Sequence, residues 1–194
     1  MGEKIYSNKT EEPQKIKSNK IKEILGLVLY CVIVIAIMFF VIKYVGQRTV
    51  VIGDSMENTL QDGDNQITDK LTYRFMEPKR FDIVVFPFKD NKNQLLIKRI
   101  IGLPGETVQI MNGKVYINGY ELNENYGNAI IESAGLAENP IVLGEDEYFV
   151  LGDNRNNSQD SRFESVGNIH RSDLIGRAWI RIWPLNEISL LKHQ

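Results

Sequence analysis

The hydrophobic pattern divides the chain into a polar start, one long apolar run and a series of short alternating segments. Ile24–Ile42 contains no charged residue, and as a helix it would be roughly 28 Å long, close to the ~30 Å hydrocarbon core of a bilayer. Residues 1–23 contain too few apolar residues to fold alone. The pattern therefore predicts a tail over 1–23, a transmembrane helix over 24–43 and a separate domain over 44–194.

After Thr49 the helical pattern ends, and short runs rich in β-branched and aromatic residues follow. These runs are Thr49–Ile52, Ile83–Phe88, Leu95–Ile101, Thr107–Met111, Val115–Ile117, Tyr148–Leu151 and Ala178–Trp183. Two Asn-Gly pairs, at 112–113 and 118–119, are typical of tight turns with positive φ and predict a hairpin. The sequence indicates a mainly β fold, an antiparallel sheet or barrel-like domain, with a hairpin and loop excursion at about 107–147.

Composition and charge exclude several classes of function. The formal net charge of -2 gives no sign of a nucleic-acid-binding surface. The single cysteine, Cys31, cannot form an intrachain disulfide, and two histidines make a zinc cage improbable. We therefore expect no metal, no cofactor and no nucleic-acid partner, and chemistry carried by oxygen and nitrogen side chains.

Basic residues are far more numerous before the apolar run than after it, which predicts its orientation in the membrane. Only Lys43 and Arg48 follow it closely, whereas six lysines precede it: Lys4, Lys9, Lys15, Lys17, Lys20 and Lys22. The lysine-rich end is therefore expected to be cytoplasmic, with the β domain extracytoplasmic. A cleaved secretory signal is the alternative, but Val41–Val45 offers no small-x-small cleavage site. The pattern favours a retained single-pass anchor in the cytoplasmic membrane.

Ser55 and Lys98 are the candidate catalytic pair. A serine hydroxyl becomes a nucleophile when a neighbouring group accepts its proton, and an uncharged lysine can be that group. Leu96, Lys98 and Ile100 share one face of a predicted strand, so the amine would lie among apolar neighbours. Burial can lower a lysine pKa from about 10.4 to as little as ~5–6.

Three separated segments resemble the bacterial type I signal peptidases, which are membrane-anchored serine proteases. Residues 53–60 (GDSMENTL) are similar to the nucleophile box, 96–105 (LIKRIIGLPG) to the general-base box and 152–162 (GDNRNNSQDSR) to the third box. The resemblance implies removal of signal peptides from exported preproteins after small residues of the Ala-x-Ala type, by a Ser55 nucleophile and a Lys98 base. It also implies preprotein signal peptides and membrane lipids as partners, with the secretion translocon a candidate.

The resemblance extends to residues around the pair. It implies that Ser158 hydrogen-bonds the lysine, and that Arg99 with Asp153, and Asp160 with Arg162, form ion pairs that brace the site. The Ser55 amide is the expected first donor to the oxyanion; Gly53 lacks the hydroxyl that some members supply, so its backbone is a candidate second donor. The matching region of the substrate pocket consists of Val51, Met56, Leu60 and Ile97, which ordinary core packing explains equally well.

Aromatic residues suggest a lipid boundary. We expect Phe75-Met76 or Phe86-Pro87-Phe88 to touch lipid, and Trp179 and Trp183 to be buried. An extended substrate would add backbone hydrogen bonds to Thr49–Ile52 and Leu95–Ile97.

Three positions depart from the family pattern. Asn58 stands where proline is usual, Phe81 where glycine is common, and Asn156 replaces a frequent aspartate. The loss of proline is expected to loosen the turn after Ser55, and Phe81 restricts φ where glycine would not.

Rival functions remain open. The Gly-Asp-Ser-Met segment at 53–56 partly imitates the GDS-type esterases, but neither His170 nor His193 has the aspartate three residues earlier that those enzymes need. The self-cleaving SOS-repressor peptidases also use serine and lysine, but they carry a helix-turn-helix domain for which the basic tail is too short. A catalytically inactive homologue that only binds signal peptides is the third alternative.

Overall fold

The computed structural model describes residues 13–127 and 129–191, with side chains from residue 20 onward. The chain divides into two compact units, one ending at Lys43 and the other beginning at Tyr44. The described part of the first unit is a single helix, α1 (Pro13–Tyr44). The helix therefore begins eleven residues before the predicted start at Ile24, inside the predicted tail, whereas residues 1–12 of that tail lie outside the described residues.

Among the described residues, the Lys20–Tyr44 part of α1 is the one segment long and apolar enough to cross a membrane. Its large apolar side chains are exposed within the unit, for example Leu25 at 69% and Ile35 at 65%. An isolated helix that is apolar on all sides is typical of a membrane span, although a signal sequence near the N-terminus has the same composition.

The second unit is antiparallel β, which confirms the predicted fold class. Its strands in the described residues are β1 (Gly46–Val50), β2 (Asn65–Asp69), β3 (Ile83–Phe88), β4 (Asn91–Gly102), β5 (Thr107–Met111), β6 (Lys114–Ile117), β7 (Tyr120–Glu121), β8 (Ile141–Val142), β9 (Glu147–Leu151), β10 (Ile169–His170), β11 (Gly176–Trp183) and β12 (Ser189–Leu190). Short 3-10 turns at 72–74, 135–138, 171–173 and 185–187 connect some of them.

Two sheets form from these strands. The larger has the order β1-β2-β11-β3-β4-β9-β10, with β12 added to β11, and the smaller has the order β7-β6-β5-β8. Turns at Asn112 and Asn118, with φ of 49° and 53°, join β5 to β6 and β6 to β7. These turns lie at the two predicted Asn-Gly pairs.

Apolar side chains pack against both sheets. One cluster lies along β3 and the nucleophile segment, including Val51, Leu60 and Val85. A second lies between β4, β9 and residues 166–169, and a third covers the small sheet.

The structure corrects the expectations for three aromatic residues. Trp179 and Trp183 are 48% and 52% exposed rather than buried, because none of the three apolar clusters includes them. Phe86 is 1% exposed and cannot touch lipid, because it packs within the second cluster. Phe75 is 80% exposed, and Met76 is 49% exposed.

Candidate active site

Ser55 lies at the tip of a loop whose base is closed by backbone hydrogen bonds. Val51 N donates to Asp64 O at 2.8 Å, and Gly63 N donates back to Val51 O at 3.0 Å. Immediately after Ser55 the chain makes one helix-like turn, in which Leu60 N donates to Met56 O at 2.8 Å. The nucleophile candidate is therefore held between a closed loop and a rigid turn.

Lys98 lies in the middle of β4 and reaches this loop. Its Nζ donates to Ser55 Oγ at 2.8 Å and to the Ile97 carbonyl at 2.9 Å. Lys98 is only 3% exposed. Burial lowers the pKa of Lys98 from 10.5 to about 8, and the charges of Asp160 and Asp153 oppose part of that shift. The lysine can therefore lose its proton near neutral pH while it contacts the serine.

A groove of about 500 Å³ runs away from this pair, lined by residues 47–52, Ser55, Met56 and 93–98. We call it the β1–β4 groove. One wall is the free edge of β1 and the residues that continue it to Ile52. The other is β4, which pairs with β3 along one edge but with β9 only from Arg99 onward. Two strand edges with unpaired backbone groups thus face the groove, an arrangement suited to binding an extended peptide.

Three of the four predicted pocket residues line this groove. Val51, Met56 and Ile97 do so and are at most 7% exposed. Leu60 is fully buried in the apolar cluster and is not among the lining residues, so it supports the groove wall through packing.

Arg99, the residue after Lys98, is fully buried and serves a different set of groups. It forms a bidentate ion pair with Asp153, Nε to Oδ1 at 2.8 Å and Nη2 to Oδ2 at 2.6 Å. Thr59 donates to the same Asp153 carboxylate at 2.5 Å, which joins the turn after Ser55 to the third box. The guanidinium also lies 3.6 Å from the ring centroid of Tyr126.

The third box is tied to the nucleophile loop at its backbone. Asn154 N donates to the Ser55 carbonyl at 3.1 Å. A side chain on Gly152 would overlap the Ser55 carbonyl oxygen and Ser158 Oγ, so this position requires glycine. Asp160 accepts a bond from Gly152 N at 3.1 Å and forms a buried ion pair with Arg162 at 2.8 Å.

Two expected supporting contacts differ from the structure. Ser158 Oγ is buried but has no hydrogen-bond partner in the described part of the chain, so the bond to Lys98 is not formed. Besides Ser55 Oγ, Lys98 Nζ donates to the Ile97 carbonyl on its own strand. The Gly53 amide donates to Asp62 Oδ1 at 2.7 Å and is therefore not free to meet an oxyanion. The Ser55 amide, by contrast, donates to no acceptor among the described residues.

The sequence interpretation missed several residues around the site. Arg155 is 3% exposed and donates to the Gly152 carbonyl at 3.0 Å, while Glu124 from the excursion binds both of its terminal nitrogens at 2.6 and 2.5 Å. Tyr126 comes from the same excursion. The charges of Arg155 and Glu124 were the available signal, but nothing local in the polar, aperiodic excursion indicated the pairing.

The described residues contain no group of three or more His, Cys, Asp or Glu side chains that could hold a metal ion.

Comparisons with known proteins identify the family of this chain. A family model described as signal peptidase, peptidase S26, matches residues 24–183. Probable signal peptidase I-2 of Synechocystis sp. is 42% identical over 153 residues, which cover 76% of this chain and 68% of that protein. Signal peptidase I of Bacillus amyloliquefaciens is 32% identical over 190 residues, covering 92% and 98%. This chain belongs to the signal peptidase family, peptidase S26.

A solved signal peptidase I from Enterococcus faecalis V583 also resembles the chain, with 36% identity, a TM-score of 0.45, and coverage of 53% of this chain and 97% of that one. The signal peptidases I are serine endopeptidases, so the family and enzyme class predicted from the sequence are confirmed.

The structure shows how this signal peptidase accommodates its three departures. Asn58 has a φ of 72°, which proline cannot adopt, so the turn is left-handed rather than merely looser. Phe81 also has a φ of 72°, and its carbonyl accepts a bond from Arg99 Nη1 at 2.9 Å. Asn156 both donates to Ile130 O and accepts from Glu132 N, a combination that an ionised aspartate could not make.

Proposed function

We propose that this protein is a membrane-anchored serine endopeptidase that removes signal peptides from exported preproteins by a Ser55/Lys98 dyad. The observation that carries the proposal is the 2.8 Å contact between Lys98 Nζ and Ser55 Oγ, made by an amine that is 3% exposed. Membership of the signal peptidase family supports the substrate class.

In the first step, Lys98 acts as the general base. Protonated Lys98 donates to Ser55 Oγ; once the amine is neutral, the direction of the bond reverses and the serine hydroxyl donates to its lone pair. Ser55 Oγ then attacks the scissile carbonyl carbon while its proton moves to Nζ. The negative charge that develops on the carbonyl oxygen is met by the Ser55 amide, which is available for it.

In the second step, the ammonium of Lys98 returns the proton to the leaving amine, the peptide bond breaks, and an acyl ester on Ser55 remains. The neutral lysine then takes a proton from water as the water oxygen attacks the ester carbonyl carbon. When the acyl C–O bond breaks, the Lys98 ammonium gives that proton to Ser55 Oγ, which restores the hydroxyl and the neutral amine and releases the signal peptide with a free carboxyl group. The same amine therefore serves both half-reactions, and its lowered pKa suits both roles.

The β1–β4 groove supports the proposed mode of substrate binding. A peptide inserted between the free edges of β1 and β4 would form backbone hydrogen bonds that do not depend on its sequence. Side-chain selection would come from Val51, Met56 and Ile97, whose buried surfaces leave space beside the dyad for small residues such as alanine.

The apolar Lys20–Tyr44 segment supports the membrane anchor. The lysines before it favour a cytoplasmic N-terminus and an extracytoplasmic β domain, the side on which exported preproteins emerge. The secretion translocon is a partner consistent with that location.

Exposed apolar residues on the β domain support contact with lipid. Phe75 and Met76, which the sequence predicts to touch lipid, are 80% and 49% exposed. Trp179 and Trp183 are 48% and 52% exposed. Exposed apolar side chains together with half-exposed tryptophans are typical of membrane interfaces.

The proposal is tested by incubating detergent-solubilised protein with a preprotein that carries an Ala-x-Ala site and measuring product masses. Cleavage after the second alanine, lost in Ser55→Ala, is the expected result. Binding of the preprotein without cleavage would identify an inactive homologue, and hydrolysis of simple esters alone would identify an esterase; either outcome contradicts the proposal.

A further inference from the structure

The end of the β1–β4 groove far from the dyad carries one unpaired charge. Of the residues that line the groove, only Arg48 and Lys98 are basic, and among the described residues none of the lining side chains is Asp or Glu. Arg48 is exposed at the groove mouth, whereas Lys98 is buried beside Ser55. Arg48 is therefore the one exposed charged residue among those that line the groove.

Arg48 is held in place without being neutralised. Its Nε donates to Asn65 Oδ1 at 2.7 Å, and Asn65 Nδ2 donates in turn to the Gly63 carbonyl at 3.1 Å. In the described part of the chain no carboxylate lies within ion-pair distance of Arg48, and its two terminal nitrogens have no hydrogen-bond partner. Arg181 on the same sheet, in contrast, is paired with both Asp64 and Glu187.

The position of Arg48 along the groove can be counted in residues. Both walls run toward the dyad with increasing residue number, Gln47 to Ile52 on one side and Asn93 to Lys98 on the other. At about 3.3 Å per residue, Arg48 lies roughly 10 Å before Val51, and Gln94 lies roughly 13 Å before Lys98. An extended substrate with its scissile carbonyl at Ser55 would place its fourth to sixth residues before the cut beside Arg48.

We propose that Arg48 is a specificity-determining residue that favours a carboxylate side chain at the fourth to sixth positions before the cleavage site and disfavours lysine or arginine there. This inference rests on the proposed function, because it assumes that the signal peptide occupies the β1–β4 groove. Arginine is suited to the role because its guanidinium stays charged and can bind a carboxylate through two donors.

Charge scanning of the substrate tests the inference. Three preproteins that differ only in Asp, Asn or Lys at the fifth residue before an Ala-x-Ala site are cleaved by the wild-type protein at low ionic strength. We expect kcat/KM to be about fivefold higher for Asp than for Lys, the scale of an exposed ion pair gained and a repulsion removed. The difference should shrink in 0.5 M salt and lie mainly in KM.

Variants of the enzyme complete the test. Arg48→Glu should reverse the order so that the Lys substrate is preferred, and Arg48→Lys should retain the wild-type order. Lys89→Glu is the matched control, since Lys89 is exposed and does not line the groove, and it should retain the wild-type order.

Each outcome is decisive. If the wild-type protein cleaves none of the preproteins, the proposed function itself fails. If it cleaves all three at rates within 1.5-fold, or if Arg48→Glu keeps the preference for Asp, the inference about Arg48 is wrong although the function stands.

Two further results would give Arg48 a different role. If an Arg48 substitution changes the rate equally for all three substrates, and only when vesicles of anionic lipid are present, Arg48 binds lipid headgroups and the inference is overturned. A preference that appears only for residues after the cut would do the same.

Discussion

Lys98 and Arg99 are neighbours on β4, and the two sides of the strand treat their positive charges in opposite ways. Both are buried, at 3% and 0% exposure. Arg99 faces Asp153, which binds it through two hydrogen bonds, whereas Lys98 Nζ contacts only a hydroxyl and a carbonyl. Burial therefore lowers the pKa of Lys98, while the ion pair keeps the charge of Arg99 compensated.

A lysine with a lowered pKa can therefore lie one residue from a permanent cation when strand alternation separates their partners. Asp153 and Asp160 still act on Lys98 at a distance and oppose the fall in its pKa. The carboxylates that form the buried ion pairs therefore also influence the pKa of Lys98.

The largest effect is expected for Lys98→Ala, which removes the proposed base. We expect kcat to fall by at least about 10³-fold, the upper part of the range for general-base catalysis. The folded β domain should remain, because the change removes a buried amine and not an ion pair. Lys92→Ala, an exposed lysine on the same strand, is the control, and single-turnover cleavage with a circular dichroism spectrum is the measurement. Parent-rate cleavage by Lys98→Ala would disprove the assignment of the base.

Asp153→Asn should instead act through stability. It leaves the buried Arg99 without its opposite charge, which typically costs about 3–5 kcal/mol. Urea unfolding of the protein, followed by tryptophan fluorescence, measures the loss. Asp90→Asn in the exposed turn before β4 makes the same charge change and should alter stability by less than about 0.5 kcal/mol. Equal stability of the two variants would show that the ion pair does not brace the site.

The pH dependence of cleavage should report the pKa of Lys98, which the ion-paired carboxylates influence. Because the base must be neutral, kcat/KM should rise with pH to a plateau above an apparent pKa of about 8, falling about tenfold per pH unit below it. The negative charge of Asp160 raises the pKa of Lys98, and it also compensates the charge of Arg162. Asp160→Asn removes the first effect and leaves Arg162 uncompensated, and both changes lower the pKa of Lys98. The rising part of the pH profile, here called the limb, should therefore move to lower pH. Asp90→Asn should leave the limb in place. A shift of the Asp160→Asn limb to higher pH would contradict the electrostatic account.

The smallest effects are expected at Asn58, three residues after Ser55. Its φ of 72° is open to glycine, so Asn58→Gly should change the free energy of unfolding by less than about 1 kcal/mol. Asn58→Pro forces φ to about −65° and should destabilise the turn by roughly 1–3 kcal/mol, with a lower kcat. Thermal unfolding and cleavage rates measure both, and a proline variant as active as the parent would show that the left-handed turn is dispensable.

The sequence predicted the parts of the fold that local patterns specify. β3 and β5 have the predicted bounds because their β-branched residues are flanked by polar turns. β2 was missed because its residues, Asn65–Asp69, are mostly polar, and it is stabilised by pairing with β1 and β11 instead of by its own composition. The exposure of Trp183 was missed because it depends on which parts of β11 the apolar clusters cover, and that is decided by tertiary packing.

In the candidate site, too, local sequence patterns indicate some features, whereas others depend on tertiary packing. The contact between Ser55 and Lys98 could be expected because each lies in a recognisable segment, and their catalytic roles stay a prediction. The Asp62 contact that occupies the Gly53 amide, and the Glu124 partner of Arg155, depend on how loops pack across the site, and no periodicity encodes that packing. The Asp62 contact leaves the second oxyanion donor unassigned.

The close approach of Gly152 to the Ser55 carbonyl determines when the site can form during synthesis of the chain. Ser55 and Lys98 are both synthesised well before residue 152, yet the carbonyl of the serine is fixed by contacts with that later segment. A growing chain therefore carries Ser55 and Lys98 for more than fifty residues before the backbone that contacts the serine carbonyl has been made. We therefore expect a nascent chain that ends before residue 152 to be unable to cut.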